Sequence, residues 1–459
     1  MDTPTIAPDL QELLLSAETV DLRAHLEDIH PADIAEAITN LEADKRWEAL
    51  SKFEPYLAAD VFSHLDDDVQ ERIIAALNRA ELAWLMTHIP SDDRVDIFRR
   101  LPEERQESLL PALAHAERED IRRLASYPEG SAGAVMTSEY VTLPATVTVD
   151  QAITRLRREA FNKETIYYAY VVDENRRLLG FVSLKDLILA NPQERIEDIM
   201  HRDVIFARAH DDQEEAARLI TKYDMFVLPV INGNDAMVGI ITHDDAIDVI
   251  NQEHTEDMEK FMAIAGSHEA GGYLRTPVME HFRNRVYWIM GLAVIGLVSG
   301  TIIHRYEETL ASLMLLALYM PMLADTGGNT GSQAATIIVR ALALKDVNYG
   351  DIFRVLFKEL RIALMLSAIL GCMTFGRVMF LSRGADVPEG MTLPMIGFAI
   401  AIALSIQVIS ATMAGALLPI IAAFFKKDPA VVASPALTTV VDITGLLIYF
   451  NTAKFMLGI

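Results

Sequence analysis

Residues 434–450 read SPALTTVVDITGLLIYF, an apolar run with a single carboxylate, Asp442, at its centre. Such a run either fills the core of a large soluble domain or crosses a bilayer, and context decides between the two. It belongs to the last of five long apolar stretches, approximately 286–304, 309–338, 361–381, 392–424 and 430–456. About 20 such residues suffice to span a hydrocarbon core. Ser434, Thr438, Asp442, Gly445 and Tyr449 recur at i, i+4, i+8, i+11 and i+15. On a helix they form one stripe of oxygen-bearing or small residues. A lone carboxylate at mid-membrane costs roughly 2.5–3.5 kcal/mol on insertion scales. No Lys or Arg lies near mid-depth, so the partner of Asp442 is a proton, a polar neighbour or a passing cation.

A second polar interruption stands in the second stretch, PMLADTGGNTGSQAATIIVRA at residues 321–341. Gly327, Gly328 and Gly331 permit close backbone approach or local unwinding. Irregular backbone at membrane depth is tolerated only where it is buried in protein or lines a wet cavity. Packing of small residues alone does not explain the adjacent Asp325, Asn329, Ser332 and Gln333. The segment is therefore read as part of a polar pathway, with Asp325, Gly328 and Asn329 as candidate lining residues.

Charge divides the chain sharply. Of 40 basic and 65 acidic residues, 13 and 10 lie from Arg283 onward, which leaves 27 and 55 before it and a net charge of −28 there. So acidic a part excludes nucleic acid as a partner, since phosphates require a basic surface. It suits cations, or a solvated acidic surface. With the N-terminus inside, nine basic residues flank the spans on the cytoplasmic side and four on the outer side, in accord with the positive-inside rule. The expected protein is a multi-pass cell (inner) membrane protein with cytoplasmic N-terminal domains and an outside C-terminus. The start, MDTPTIAPDLQELL, does not read as a signal peptide. One cysteine, Cys372, rules out an intrachain disulfide and a Cys-rich zinc site.

Within residues 20–125, HPADIAEAITNL, PYLAADVFSHL and IPSDDRVDIFRRL look like variants of one short amphipathic helical unit, predicting a small superhelix. Residues 134–250 contain a duplication. VMTSEYVTLPATVTVDQAI is echoed by IMHRDVIFARAHDDQEEAA, and Gly180 and Gly239 stand 59 residues apart, as do Asp186 and Asp245. Each copy reads strand, helix, strand, turn, strand, helix. The pair resembles tandem CBS domains. That resemblance implies a cleft for ATP or another adenine nucleotide, with Ser183 and Asp186, and Thr242 and Asp245, placed to meet a ribose. The chain then continues as DVINQEHTEDMEKFMAIAG, a helix whose Glu253, Glu256 and Asp257 share one face. On residue pattern alone the favoured reading is an ordinary charged helix with a Glu256–Lys260 pair.

Enzyme signatures are missing. HEAGGY at His268 lacks a second zincin histidine, and DTGGNTG lacks the lysine of a phosphate loop. The chain is read as not an enzyme.

The order of parts, with PMLADTGGNTGSQ and DPAVVASPALTTVVDITGLLIYF, resembles the MgtE family of magnesium channels over nearly the whole chain. The implied fold class is multidomain: an all-α superhelical N domain (1–130), an α/β tandem CBS pair (131–250), a linker or plug helix (251–282) and an α-helical membrane domain with five transmembrane helices (283–459). The resemblance implies a homodimer with one pore on its two-fold axis, lined by Asp442 and by oxygens at Thr438 and Ser434. It also implies Mg²⁺ sensing by Asp92, Asp96, Glu214, Asp224, Asp245, Asp248, Glu253, Glu256, Asp257 and Asp428, with Mg²⁺ as both substrate and regulator. Magnesium uptake through a channel closed by cytoplasmic Mg²⁺ is the expected function. The alternatives are an ion-coupled secondary transporter and a CBS-containing membrane sensor.

Overall fold

The computed structural model describes residues 10, 14, 29–160, 163–264, 276–343, 345–430 and 435–458. The chain forms two compact units, Met1–Glu253 and His254–Ile459.

The first unit begins with short helices: α1 (Pro31–Thr39), α2 (Ala43–Leu50), α3 (Pro55–Ser63), α4 (Asp67–Ala76), α5 (Arg79–His88), α6 (Ser91–Arg100), α7 (Glu103–Leu109) and α8 (His115–Leu124). Their starts follow from local chemistry. Proline opens α1 and α3, where its missing N–H costs nothing. Asn78 and Glu81 close a reciprocal capping box on α5. Each of the three look-alike segments buries an apolar stripe: Ile34 and Ile38, Val61 and Phe62, Val95 and Ile97. These stripes pack into one core, which continues into Leu228, Val230, Ile241 and Val249 further along the chain.

The duplication is visible bond by bond. β1 (Thr142–Pro144), β2 (Tyr168–Val172) and β3 (Leu178–Ser183) form one sheet, and β4 (Ala207–Arg208), β5 (Val227–Ile231) and β6 (Met237–Thr242) the other. In each sheet the first strand pairs parallel to the second, and the second antiparallel to the third. Tyr168 faces Ser183 as Val227 faces Thr242, and Val171 faces Gly180 as Val230 faces Gly239. The helices α9 (Val149–Glu159), α10 (Leu184–Leu189), α11 (Ile196–Ile199) and α12 (Gln213–Lys222) complete the pair.

The leading segment of each copy crosses to the other copy's sheet, with Thr137 bridging to Ile240 and His201 to Phe181. This explains the matched glycines. A Cβ at Gly180 would lie 2.5 Å from the His201 carbonyl oxygen, and one at Gly239 would lie 2.9 Å from that of Thr137. The last helix of the second copy, α13 (His243–Phe261), runs on without a break through position 250. The sequence places a linker boundary there, but no glycine or proline interrupts the helix before Phe261. Part of the linker, residues 265–275, lies outside the described residues.

The second unit holds α14 (Val278–Arg305), α15 (Glu307–Ser312), α16 (Met314–Ala343), α17 (Ile352–Leu381), α18 (Leu393–Phe424) and α19 (Pro435–Leu457). Four of these, α14, α17, α18 and α19, are long and apolar enough to cross a membrane by length and composition. The fifth expected span, α16, has 30 residues but carries the polar stretch from Asp325 to Gln333. Its helix is unbroken through Gly327–Gly331, so the glycines serve close approach and not unwinding. α18 is the spine of the unit and packs against α16, α17 and α19.

At the tightest crossing, a Cβ built on Gly415 of α18 would collide with the Gly331 carbonyl oxygen of α16. Backbone cannot yield as a side chain can. Gly415→Ala should therefore destabilise the unit by about 1–3 kcal/mol, the usual scale for overpacking, read as a lowered melting temperature in detergent.

Candidate functional site

Two clusters stand out, one in each unit. In the second unit, Thr438 and Asp442 of α19 are half-buried, whereas Gly445 and Tyr449 face the bundle interior. The expected single stripe is therefore split between two environments. The Tyr449 hydroxyl donates to the Leu316 carbonyl at 2.8 Å, which anchors α19 on α16. Asp442 and Gly445 line a small pocket with Met320, Leu323, Ala324 and Tyr449. Among the described residues no basic side chain pairs with Asp442. Gly328 packs against Thr438, so the two polar motifs meet where α16 and α19 touch. Asp325 and Asn329 lie on the exposed face of α16, and Asn329 Nδ2 donates to Asp325 Oδ1 at 3.2 Å. Ser434 lies outside the described residues.

In the first unit, acids converge where α6 meets the CBS pair. Burial pushes the Asp92 carboxyl well above the ordinary range, and the charges of Asp245, Asp93 and Glu164 add to it. Burial likewise raises Asp245 to about 6, against the hydrogen bonds it accepts from Thr242. Glu164 is raised to about 7 by burial and by the charges of Asp245, Glu139 and Asp244. One oxygen of Asp92, Oδ1, is shielded from solvent and has no hydrogen-bond partner among the described residues. Asp93 and Glu164 were not singled out by sequence pattern. They sit outside any motif, and only the folded chain brings them to Asp92 and Asp245. Ser91 and Thr137 join α6 to the CBS pair with a 2.9 Å hydroxyl contact, and Arg94 reaches Glu139 at 3.5 Å.

The other expected sensing acids are dispersed. Asp96 is exposed beside Arg99 at 3.5 Å. Glu214 pairs with Arg218 at 2.9 Å, and Glu253 accepts from Gln213 Nε2 at 2.7 Å. Asp224, Asp248 and Asp257 are exposed. In the second unit Lys260 bridges Glu256 and Asp428, the latter at 3.2 Å. The Glu256–Lys260 pair read from sequence therefore forms, and it is shared with a third residue. Among the described residues, no three His, Cys, Asp or Glu side chains converge as a ready-made metal cage.

The expected ribose contacts have local work. Ser183 and Asp186 form the capping box of α10, and Asp186 also meets His201 at 3.1 Å. Burial, which opposes ionisation of Asp186, is outweighed by its hydrogen bonds from Ser183 and His201, and its pKa is lowered. Thr242 and Asp245 repeat the capping contact at the head of α13.

Three family models match the chain: the MgtE intracellular N domain over residues 29–130, the CBS domain over 132–192 and 196–252, and MgtE, described as a divalent cation transporter, over 320–452. The chain is 37% identical over 458 residues to the magnesium transporter MgtE of Thermus thermophilus, covering 98% of each. It is 34% identical to that of Bacillus subtilis, covering 96% of this chain and 95% of the relative. A crystal structure of the soluble part of a magnesium transporter superposes with a TM-score of 0.51 at 32% identity, over 53% of this chain and 96% of the other.

The acid cluster has a pH signature. Carboxyls raised to about 6 and 7 in the fold hold protons that the unfolded chain releases near pH 4. The folded state then binds more protons than the unfolded state between about pH 4 and 7, so stability falls as pH rises through that window. Thermal unfolding of the first unit in metal-free buffer should show a higher midpoint at pH 5 than at pH 7.5. Replacing Asp92 and Asp245 by Asn should flatten the difference.

Proposed function

The chain belongs to the MgtE family of magnesium transporters, and from that premise we propose that it is a Mg²⁺ channel whose conducting path passes Asp442 and whose closure is governed by cytoplasmic Mg²⁺. The observation that carries this reading is the half-buried Asp442, without a basic partner among the described residues, at the junction of the two polar motifs.

Mg²⁺ holds its waters tightly and prefers near-octahedral oxygen geometry at short distance. A path for it need not strip the ion. In a homodimer, two Asp442 carboxylates facing each other across the axis repel when alone and together bind a hydrated dication. Thr438, Ser434 and the exposed Asp325 and Asn329 supply further oxygens along the same route, and Gly328 lets the motif helices approach. Size and water-mediated contacts then favour Mg²⁺ over the larger, more readily dehydrated Ca²⁺. Five spans with the N-terminal domains inside agree with the distribution of basic flanks. The membrane potential contributes about 2.3 kcal/mol per charge per 100 mV to inward flow.

Closure uses the acids of the cytoplasmic part. Asp92, Asp245 and Glu164 already sit together at an electrostatic cost, and Asp92 offers an oxygen with no hydrogen-bond partner among the described residues. A dication there replaces protons and offsets that repulsion. Because Mg²⁺ needs only one or two carboxylates and keeps several waters, dispersed acids such as Asp96, Glu214, Asp224, Asp248, Glu253, Glu256, Asp257 and Asp428 suffice without a closed cage. Linkage requires the ion to bind the closed state more tightly than the open one. An adenine nucleotide such as ATP at Ser183 and Asp186 would have to share Asp186 with His201.

Asp442→Asn and Asp442→Ala should abolish Mg²⁺ uptake while insertion and dimer formation persist. Normal uptake by either variant removes Asp442 from the path. Neutralising Glu253, Glu256 and Asp257 together should leave uptake intact and weaken its shut-off by cytoplasmic Mg²⁺. Unchanged shut-off would return these acids to the role of an ordinary charged helix.

A further inference from the structure

Gln407 lies in the middle of α18, the one amide side chain of a helix whose other polar side chains at this depth are the small hydroxyls Ser405, Ser410 and Thr412. It is 0% exposed. Its Nε2 donates to the Val441 carbonyl of α19 at 3.0 Å, one residue before Asp442. Its Oε1 is buried with no partner among the described residues. The amide lies against two glycines, one from each polar motif. A Cβ built on Gly327 of α16 or on Gly445 of α19 would collide with Gln407 Nε2. A larger residue at either position would force the amide out of the place it holds here.

Packing alone does not account for the choice. An apolar side chain of the same length would fill the slot without burying an unpartnered oxygen, which is a destabilising feature in any interior. Nor does the Val441 carbonyl need rescue. In a regular helix it accepts from the N–H four residues on, and the Thr444 hydroxyl reaches it as well, at 3.1 Å. What the Gln407 bond adds is a fixed point. It ties α19 to α18 in rotation and in height beside Asp442, while the amide fills the space between the two glycine motifs. The orientation of the amide is set by the same contact, because the flipped form would aim Oε1 at the Val441 carbonyl.

We infer that Gln407 is a positioning residue for ion passage: its amide locks the rotation of α19 and so sets where the Asp442 carboxylate points. The inference rests on the reading of Asp442 as the ion-contacting group. It assigns Gln407 a part in discriminating between dications, because a carboxylate that meets a hydrated ion selects by where its oxygens stand.

The test uses the full-length protein in proteoliposomes, with Mg²⁺ and Ca²⁺ influx measured side by side. Gln407→Met keeps the length and removes the donor. Gln407→Asn keeps the amide but is one methylene too short to reach Val441. Asp442→Asn is the reference. In protein of wild-type dimer content and melting temperature, either Gln407 variant should lower Mg²⁺ influx roughly fivefold, the factor equivalent to one typical hydrogen bond, and should lower the Mg²⁺-to-Ca²⁺ ratio. Wild-type rate and ratio in both variants, with Asp442→Asn inactive, overturn the inference and leave the Asp442 reading standing. A fall in both fluxes by one factor that tracks loss of folded protein assigns Gln407 a packing role and also overturns it. Normal flux through Asp442→Asn sinks the underlying reading instead.

Discussion

Carboxylates gathered without a basic partner among the described residues are the constraint around which this protein is arranged. Asp92, Asp245 and Glu164 come together at the junction of α6 with the CBS pair, and burial raises all three. Asp442 stands alone among apolar neighbours in the second unit. A soluble protein selected for stability alone would pair such groups with Lys or Arg or replace them. On the proposed function, the missing positive charge is supplied by the transported ion, as both cargo and counter-charge. This gives one account of two distant features.

The two units meet this constraint with different devices. In the first, the aspartates of the cluster sit at helix starts. Asp245 caps α13 through Thr242, Asp92 and Asp93 open α6, and Ser91 with Thr137 fastens that helix to the CBS pair. In the second unit the device is close helix packing. α18 brings Gly415 onto Gly331 and slots Gln407 between Gly327 and Gly445. α19 is held at the Val441 carbonyl by Gln407 and at Leu316 by the Tyr449 hydroxyl. Lys260 clasps Glu256 and Asp428 where α13 ends.

Much of the architecture was legible in the sequence because it is periodic. The 59-residue echo of Gly180 and Asp186 in Gly239 and Asp245 anticipates the matching strand registers. The three look-alike segments of the N domain carry their buried stripes in plain view. Asp442 stood out because a charge in an apolar run is costly. Other features had no periodic signature. The crossing of each CBS copy's leading segment into the other sheet depends on long-range pairing. Glu164 and Asp93 join the acid cluster only through tertiary contact. The glycines of α16 suggested unwinding as readily as packing, and the partners that decide the matter lie on α18 and α19. Gln407 did leave a signal, a lone amide within a 32-residue apolar helix, but one polar residue does not announce its acceptor.

Current through the reconstituted protein, with Mg²⁺ and pH set independently on each face, tests the central claim most directly. A channel governed by cytoplasmic Mg²⁺ has a reversal potential that follows the Mg²⁺ gradient at about 30 mV per tenfold change for a divalent ion, since ten-fold corresponds to 59 mV per unit charge. Its open probability falls as Mg²⁺ rises on the face bearing the first unit. A reversal potential that shifts with the proton gradient, or flux that needs one, would contradict the account and identify Asp442 as a site of coupled proton transport.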